Sequence, residues 1–424
     1  MSLPVHRPRS SCFFWTARLL FAGGLVCVAP AAKASGWALP AWSGEITGQA
    51  FPLGEGGLRL AWTFTPRTTG EAAREIVLRA ENDATHLRIL VTLDAATGDG
   101  TWKIEEGRID VGPWLVALAP QLGQKMAGLT AEGAITLIGK GAIHGGRPTG
   151  HIRIEWLDGT VSNTGQGWSL AGVTIKAEAD VETLPDGAVP VELTVKTITT
   201  SRLGASNLSA SAVLNGTRSA AVAAARVEIA GGEVVVDPFV VPLAEPAVHL
   251  KLHMTKVGLQ DIVALVPAAL ADASGCIDGE VELGWSEAGG IELGNGGLSV
   301  RDDESNSIRL MPKPGFLTSS MQARFVLLPQ WMGPVARWFG FANPAYGSLR
   351  SVELGQSDLR ICSLSAHVTP EGDGRGRSAS VEIVTETDPA SGRTDKIIFT
   401  INVAGPLEQV LRLGMREHIS VGGR

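Results

Sequence analysis

Hydrophobic and polar residues alternate along most of this chain in short runs. Two early examples are EIVLRAENDATHLRILVTLD at residues 75–94 and WKIEEGRIDV at residues 102–111. Alternation with a period of two predicts β-strands, and the Gly, Pro, Asn and Asp residues between runs predict turns. The first run predicts an antiparallel pair that turns at Asn82 and Asp83. Further strands are predicted at residues 131–138, 151–163, 169–184 and 189–213.

Four stretches have helical spacing instead. Residues 112–126 carry a proline at their second position, which suits the first turn of a helix. The other three predicted helices include residues 262–267, 325–341 and 406–419. Strands are predicted to resume between the last two, beginning with the segment SLRSVELG at Ser348.

The 325–341 stretch is the most lipophilic part of the chain after its N-terminus. Two interpretations stay open: a buried helix that packs on the sheet, or a helix that faces lipid at a membrane interface, where Trp is favoured. The residues that share one side at helical spacing, and form the candidate lipid-facing helix, are Leu328, Trp331, Met332, Val335, Trp338 and Phe339.

A pattern of short apolar helix, glycine-containing turn and further strands occurs twice. Residues 115–120 (LVALAP) correspond to residues 262–267 (IVALVP), and residues 128–137 correspond to residues 274–283 with a one-residue gap. Repetition of this kind favours an extended, stacked β architecture over one compact core.

The N-terminal 34 residues are typical of an export signal. Arg7, Arg9 and Arg18 precede an apolar stretch at residues 19–29, which is shorter than the roughly 20 residues needed to span a bilayer. Small residues at 32 and 34 predict cleavage after Ala34. We therefore expect an exported protein of the periplasm or cell envelope; a retained inner-membrane anchor is the alternative.

Charge narrows the choice of partners. The 424 residues contain 36 Lys and Arg against 43 Asp and Glu, a net charge of −7. Removal of the predicted signal takes away four basic residues and no acid, which leaves 32 against 43, or −11. This balance argues against nucleic acid as a partner and against a general attraction to anionic membranes.

The chain shows no catalytic motif and no pattern of metal ligands. His249 and His253 lie four residues apart in a predicted strand, where such positions are about 13 Å apart. The adjacent acids Glu105 and Glu106, like those at 302–304, are interpreted as solvated turn residues. We predict no enzyme, no cofactor and no metal.

Two cysteines, Cys276 and Cys362, remain after the predicted cleavage. They either pair in an oxidising compartment or are small buried apolar residues, and the second interpretation is preferred.

Four sequence blocks in a fixed order resemble a known family. They are GGEVVVDPFVVPLAEPAVHLKLHMTKVGLQDIVALVP, SGCIDGEVELGWSEAGGIELGNGGLSVR, SIRLMPKPG and DPASGRTDKIIFTINVAGPLEQVLRLG, which lie between residues 231 and 414. The chain is similar here to the C-terminal part of YdbH-like proteins, AsmA-type envelope proteins with a so-called dicarboxylate transport domain. The predicted division is a signal at 1–34, a β-rich groove segment at 35–230 and a YdbH-like groove segment at 231–424.

The resemblance implies a mainly β fold: an elongated, curled antiparallel sheet, open as a groove, with a few short apolar helices. It implies phospholipid transport between the inner and outer membranes, with acyl chains as cargo. It also implies a small outer-membrane lipoprotein as a partner at the C-terminal edge. Because family members are commonly longer, a second envelope protein is expected at the N-terminal end.

Two other functions stay open at this stage. One is a secreted β-solenoid or adhesin-like structural protein, and the other is a periplasmic carboxylate-binding module. The second needs clustered arginines, and the sequence shows none.

Overall fold

A computed structural model describes residues 45–404, apart from 51–59, 71, 123–127, 166, 185, 201–203, 217, 245–246, 264–269, 287–289, 302–304, 320, 327–339, 369–376 and 388–395. The described part is dominated by antiparallel strands and contains few, short helices, which confirms the mainly β prediction. The strands form two compact units. Of the described residues, unit 1 contains 45–200, 205–226, 238–244 and 247. Unit 2 contains 204, 227–237 and 248–404.

The first fifteen strands are β1 Ile46–Ala50, β2 Leu60–Thr69, β3 Ala73–Asn82, β4 Thr85–Asp94, β5 Gly100–Asp110, β6 Leu129–Glu132, β7 Ala134–His144, β8 Arg147–Asn163, β9 Trp168–Asp180, β10 Ala188–Thr200, β11 Gly204–Asn215, β12 Ser219–Ile229, β13 Gly232–Val236, β14 Phe239–Pro242 and β15 Ala247–Gly258. The remaining nine are β16 Leu270–Ser274, β17 Cys276–Ser286, β18 Gly290–Val300, β19 Ser307–Leu310, β20 Arg324–Val326, β21 Gly340–Ala342, β22 Leu359–Val368, β23 Arg377–Thr387 and β24 Lys396–Ala404. The helices are α1 Val111–Leu122, α2 Leu259–Val263 and α3 Pro344–Glu353, with a 3-10 turn at Val181–Thr183.

Unit 1 is built on an antiparallel sheet whose strands mostly follow the chain order. β1 pairs with β2, then β2 with β3, β3 with β4, β4 with β5, β5 with β7, β7 with β8, β8 with β9 and β9 with β10. The short β6 pairs with the far end of β8. The predicted antiparallel pair around Asn82 and Asp83 is confirmed as β3 and β4.

Register places the apolar residues of neighbouring strands on the same face. Ile76 of β3 lies opposite Val91 of β4, which in turn lies opposite Trp102 of β5. These side chains are all buried. Among the intervening residues, His86 and Thr92 are exposed, whereas Val77 is buried opposite the half-buried Leu90. We call the buried face of this sheet the inner face.

Among the described residues, Trp102 is the largest of the almost fully buried side chains, and it is 2% exposed. It lies opposite Gly141, and its Nε1 donates a hydrogen bond of 2.9 Å to the carbonyl of Thr149. A Cβ atom on Gly139 would lie 3.0 Å from the indole, and one on Gly141 would lie 2.6 Å from Nε1. The two glycines therefore provide the space that the indole fills.

Helix α1 connects β5 with β6 and confirms the prediction of a helix beginning near residue 112. The Nε1 of Trp114 donates a hydrogen bond of 2.7 Å to the hydroxyl of Thr85, at the start of β4. Leu115 contacts the apolar cluster around Trp156, while Val116 is 70% exposed. The helix thus fixes one end of the strands in unit 1.

The described strands of unit 2 are also paired antiparallel, and this unit has its own apolar core. β13 pairs with β15, β15 with β17, β17 with β18, β18 with β22, β22 with β23 and β23 with β24, while β19 pairs with both β16 and β22. Its most deeply buried apolar residues are Leu359, Val352, Ile277, Val257 and Ile308. β20 and β21 form a separate two-stranded sheet.

The predicted succession of short helix, glycine and further strands occurs in both units, with a similar hydrogen bond in each. In unit 1, the N–H of Val111 at the start of α1 donates to the carbonyl of Gly133, at 3.0 Å. In unit 2, the N–H of Leu259 at the start of α2 donates to Gly275, at 2.9 Å. Both glycines have positive φ and separate a short strand from a long one. The structure therefore makes Gly133 equivalent to Gly275, whereas the correspondence of residues 128–137 with 274–283 set Gly133 against Gly279. The predicted residue-by-residue correspondence is wrong here by four positions.

The prediction of a strand at SLRSVELG is wrong, because this segment ends helix α3. Asn343 precedes Pro344, and an Asn followed by Pro at the first helical position is a strong start signal. The carbonyl of Asn343 accepts the N–H of Tyr346, and its Nδ2 donates to Gln322. Val352, three residues after Leu349, is buried in the core of unit 2.

The last residue of α3, Glu353, is buried and holds the adjacent loop. Its carboxylate accepts the Thr318 hydroxyl at 2.7 Å and the N–H groups of Leu317 and Thr318 at 3.0 and 3.1 Å. Its carbonyl accepts the N–H of Lys313. Burial alone would raise the pKa of the Glu353 carboxyl, but these hydrogen bonds outweigh it and lower the pKa below its ordinary value.

We expect Trp102→Ala to lower the free energy of unfolding of unit 1 by about 3–5 kcal/mol, because it leaves a cavity and removes a buried hydrogen bond. Urea denaturation followed by circular dichroism measures the loss. Trp285→Ala is the matched control, since Trp285 is 41% exposed, and should change stability by only about 0.5 kcal/mol. Equal effects of both changes would contradict this role of Trp102.

Glu353→Gln should destabilise the protein by about 1–3 kcal/mol at neutral pH, because three donors lose a charged acceptor. A lowered folded-state pKa stabilises above the unfolded-state pKa, and this contribution disappears as the pH falls through the folded value. The difference between wild type and variant in urea denaturation should therefore shrink on acidification below about pH 4. Glu282→Gln, at an exposed position of β17, is the control; a pH-independent difference for Glu353→Gln would contradict the interpretation.

Candidate functional site

The inner face of unit 1 is almost entirely apolar and is the candidate functional surface. Among the described residues of β3–β10, Arg74 is the one charged side chain at an inner position, and it lies near the end of β3. Thr85 and Asn163 also lie at strand ends and are buried. The middle of each strand thus presents hydrocarbon, and polar groups mark the ends.

The exposure of this face changes along the sheet. Around β3, β4, β5 and β7, eleven apolar residues of the cluster that contains Trp102 are exposed by 8% or less, and four are half-buried: Phe64, Leu78, Leu137 and Ile154. Around β9, β10 and β11 most apolar members are only half-buried. These half-buried residues are Leu170, Ile175, Leu193, Ile198 and Leu208. Accessible apolar surface is therefore concentrated on β9–β11, which we call the open part of the inner face.

Three neighbouring strands change the direction of their side chains at the same level. Inner positions are even-numbered in β8 up to Trp156 and odd-numbered from Gly159, and the pairing with β9 shifts there. Asp158 of β8 and Gly172 of β9 have positive φ. In β10 the pairing is interrupted at Lys196, and the inner positions change there from Val195 to Ile198. Such bulges bend a sheet and increase its local twist.

Gly172 is needed at this point because a long side chain crosses it. The Nζ of Lys196 donates to the carboxylate of Asp158 at 2.7 Å, from β10 over β9 to β8. A Cβ on Gly172 would lie 2.6 Å from the Cγ of Lys196. Both charged groups are exposed, so the ion pair itself contributes little and the glycine provides the space.

The candidate lipid-facing helix is not tested by the structure. Its residues Leu328, Trp331, Met332, Val335, Trp338 and Phe339 lie outside the described residues, as do the acids at 302–304 and the predicted helix at 406–419. Within the described part of the chain, no helix combines the length and apolar character required to cross a bilayer.

His249 and His253 both lie in strand β15, as predicted. His253 lies between two carboxylates, with Asp237 at 3.0 Å and Glu280 at 3.2 Å. Lys251 also contacts Glu280, lowering the pKa of that carboxyl, while Glu280 raises the pKa of the Lys251 ammonium. Where the structure describes the chain, no group of His, Cys, Asp or Glu has the arrangement of a metal site.

Two smaller interpretations of the sequence need correction. Glu105 and Glu106 do not lie in a turn: they belong to β5, and Glu105 forms an ion pair with Arg88 at 2.9 Å beside a bulge. Cys276 and Cys362 are free thiols, the first partly buried and the second exposed. Burial of its sulfur raises the pKa of the Cys362 thiol, and the neighbouring Glu386 adds to this effect.

Comparison with known proteins gives one family. The family model YdbH-like, described as intermembrane phospholipid transport protein YdbH, matches residues 16–328, about three-quarters of the chain. The match includes all of the described strands of unit 1 and the inner face. Neither the curated proteins nor the solved structures gave a significant match.

We expect Gly172→Ala to cost about 2–4 kcal/mol of stability, because it adds a strained positive φ and a clash with Lys196. Gly98→Ala isolates the first effect: Gly98 also has positive φ, but no atom lies within 4 Å of its added Cβ. The control should cost only about 1–2 kcal/mol. Equal losses in urea denaturation would show that the crossing of Lys196 does not require the glycine.

Proposed function

The chain belongs to the YdbH-like family of intermembrane phospholipid transport proteins, and we propose that it carries phospholipids with their acyl chains against the inner face of unit 1. The observation that carries the proposal is the separation of apolar and polar positions on β3–β10. Paired strands bring apolar residues together on one face and leave charged residues on the other.

The open part of the inner face is the proposed place of contact. Ile175 and Leu193 lie opposite each other on β9 and β10, and both are half-buried. The neighbouring inner positions Ala177, Val191 and Val195 are also apolar. In contrast, the inner face around Trp102 is filled by its own side chains and offers little surface to a ligand.

The energetics favour acyl chains as the ligand. Burial of each CH₂ group contributes about 0.8 kcal/mol, so even half of a fatty acyl chain contributes on the order of 5 kcal/mol. No directional group is needed for this attraction, and the described residues of β3–β10 provide only Arg74 as a charge on that face. A module that binds carboxylates would need several such cations.

The remaining details extend the proposal. The protein acts in the cell envelope as a shielded path for lipids between the inner and outer membranes. A helix carrying Trp331 and Trp338 lies at a lipid interface, a small outer-membrane lipoprotein joins the C-terminal edge, and another envelope protein adjoins the N-terminal end. The sequence pattern and the resemblance to the family motivate these parts of the proposal, and each is testable separately.

Photo-crosslinking at adjacent positions of one strand tests the central proposal. A photoreactive amino acid at Leu193 should form phospholipid adducts in living cells, and the same group at Glu192 or Thr194, which point away from the inner face, should form few. Mass spectrometry of the purified protein identifies the adducts. The compared positions are adjacent residues of the same strand, and the variants are compared at equal expression.

Adducts at both inner and outer positions would indicate non-specific contact with membranes, and adducts at neither would contradict a lipid-carrying face. In the second case, a structural β protein of the secreted adhesin-like type becomes the better interpretation. Gentle purification provides an independent check, since a lipid carrier should retain phospholipid in extracts.

A further inference from the structure

A loop of unit 2, residues 311–319, presents apolar side chains directly to solvent. Met311 is 42% exposed and Phe316 is 46% exposed. The ammonium of Lys313 lies 5.5 Å from the centre of the Phe316 ring, in the arrangement of a cation–π contact. Two aliphatic or aromatic groups and a cation thus share one small exposed surface.

The loop holds this exposed arrangement rigidly. The buried carboxylate of Glu353 fixes Leu317 and Thr318, and the carbonyl of Glu353 fixes Lys313. Within the loop, the N–H of Phe316 donates to the carbonyl of Lys313. Leu317 contacts the core of unit 2, so Phe316, the preceding residue, is directed outwards. Because the neighbouring residues are held by these contacts, Phe316 is exposed by the defined conformation of the loop.

The surrounding sequence has a charge that differs from the rest of the chain. Residues 305–352 contain no Asp or Glu, although acids average about one in ten over the whole chain. The same residues contain five cations: Arg309, Lys313, Arg324, Arg337 and Arg350. Arg309 is paired with Asp358 at 2.7 Å, and the Glu353 carboxylate that contacts the loop is buried, so Lys313 is the charged group that the 311–319 loop itself presents. An exposed cation beside exposed apolar groups, in a loop that contains no acid of its own, is complementary to a bilayer with anionic headgroups.

We propose that the 311–319 loop docks unit 2 on the surface of a membrane that contains anionic phospholipid. Phe316 and Met311 enter the boundary between headgroups and acyl chains, and Lys313 remains at the level of the phosphates. The overall negative charge of the protein opposes general adsorption, so contact is limited to the 311–319 loop. Docking goes beyond the proposed transport along unit 1 and does not depend on it.

Vesicle flotation tests the docking surface with the purified full chain. The probes are vesicles of phosphatidylcholine alone and of phosphatidylcholine with phosphatidylglycerol. The double variant Met311→Ser, Phe316→Ser should reduce the partition coefficient on the anionic vesicles about tenfold, because two insertable groups are lost. Lys313→Gln should weaken the dependence on phosphatidylglycerol and on salt.

The matched control is Val240→Ser. Val240 is 56% exposed on β14 of unit 1, and its loss should leave flotation unchanged. All variants keep the same N-terminal segment, so any contribution of that segment to binding cancels. Because the changed side chains are exposed, thermal unfolding should be unaltered, and a lowered midpoint would require the more conservative Phe316→Leu to be measured instead.

Equal flotation of wild type and the double variant would overturn the proposal, as would the absence of wild-type flotation on anionic vesicles. If instead the loop variant changes the molar mass measured by light scattering, while vesicle binding is absent, the surface is an interface with a second copy. Phospholipid retained during purification is measured on the same variants. Failure of the protein to retain phospholipid, together with normal flotation, would count against transport on unit 1. Reduced flotation of the loop variant, together with retained phospholipid, would concern the docking loop alone.

Discussion

The register of antiparallel pairing is the constraint on which this structure depends. In a strand, neighbouring side chains point to opposite faces, so a shift of one residue would transfer every apolar side chain to the other face. The alignment of Ile76, Val91 and Trp102 across three strands therefore defines the apolar surface of unit 1. The bulges at Asp158 and Gly172 change the parity of adjacent strands together, and the surface continues across them.

Much of this was predictable, since period-two alternation reports directly on strands with one buried face. The pair β3 and β4, helix α1 and the repeated helix–glycine–strand pattern all follow from local sequence. Helix α3 was missed because SLRSVELG also alternates; the decisive signal was Asn343–Pro344 just before it. The site was predictable only as a class of surface. Whether the side chain at an inner position is buried, as at Trp102, or half-exposed, as at Leu193, depends on contacts between strands distant in sequence.

Glycine serves two different physical purposes in this chain. Gly139 and Gly141 provide space for a large ring, and Gly172 provides space for the crossing stem of Lys196. Gly133 and Gly275 instead provide a positive φ at the junction between a short strand and a long one. Composition alone shows 52 glycines and cannot separate these roles. The separation matters for a lipid-carrying face, because substitutions of the first kind fill the surface and those of the second kind break the chain path.

The matched hydrogen bonds at Val111–Gly133 and Leu259–Gly275 have a consequence for how such chains change in evolution. In each unit this hydrogen bond joins the start of the segment to its end. Such a segment can be inserted or deleted as a whole without altering the parity of the strands on either side. Gene duplication then lengthens the protein in steps while each step preserves its apolar side. Differences in length among relatives would accumulate as added or lost segments of this kind, and the geometry of each segment would be inherited intact.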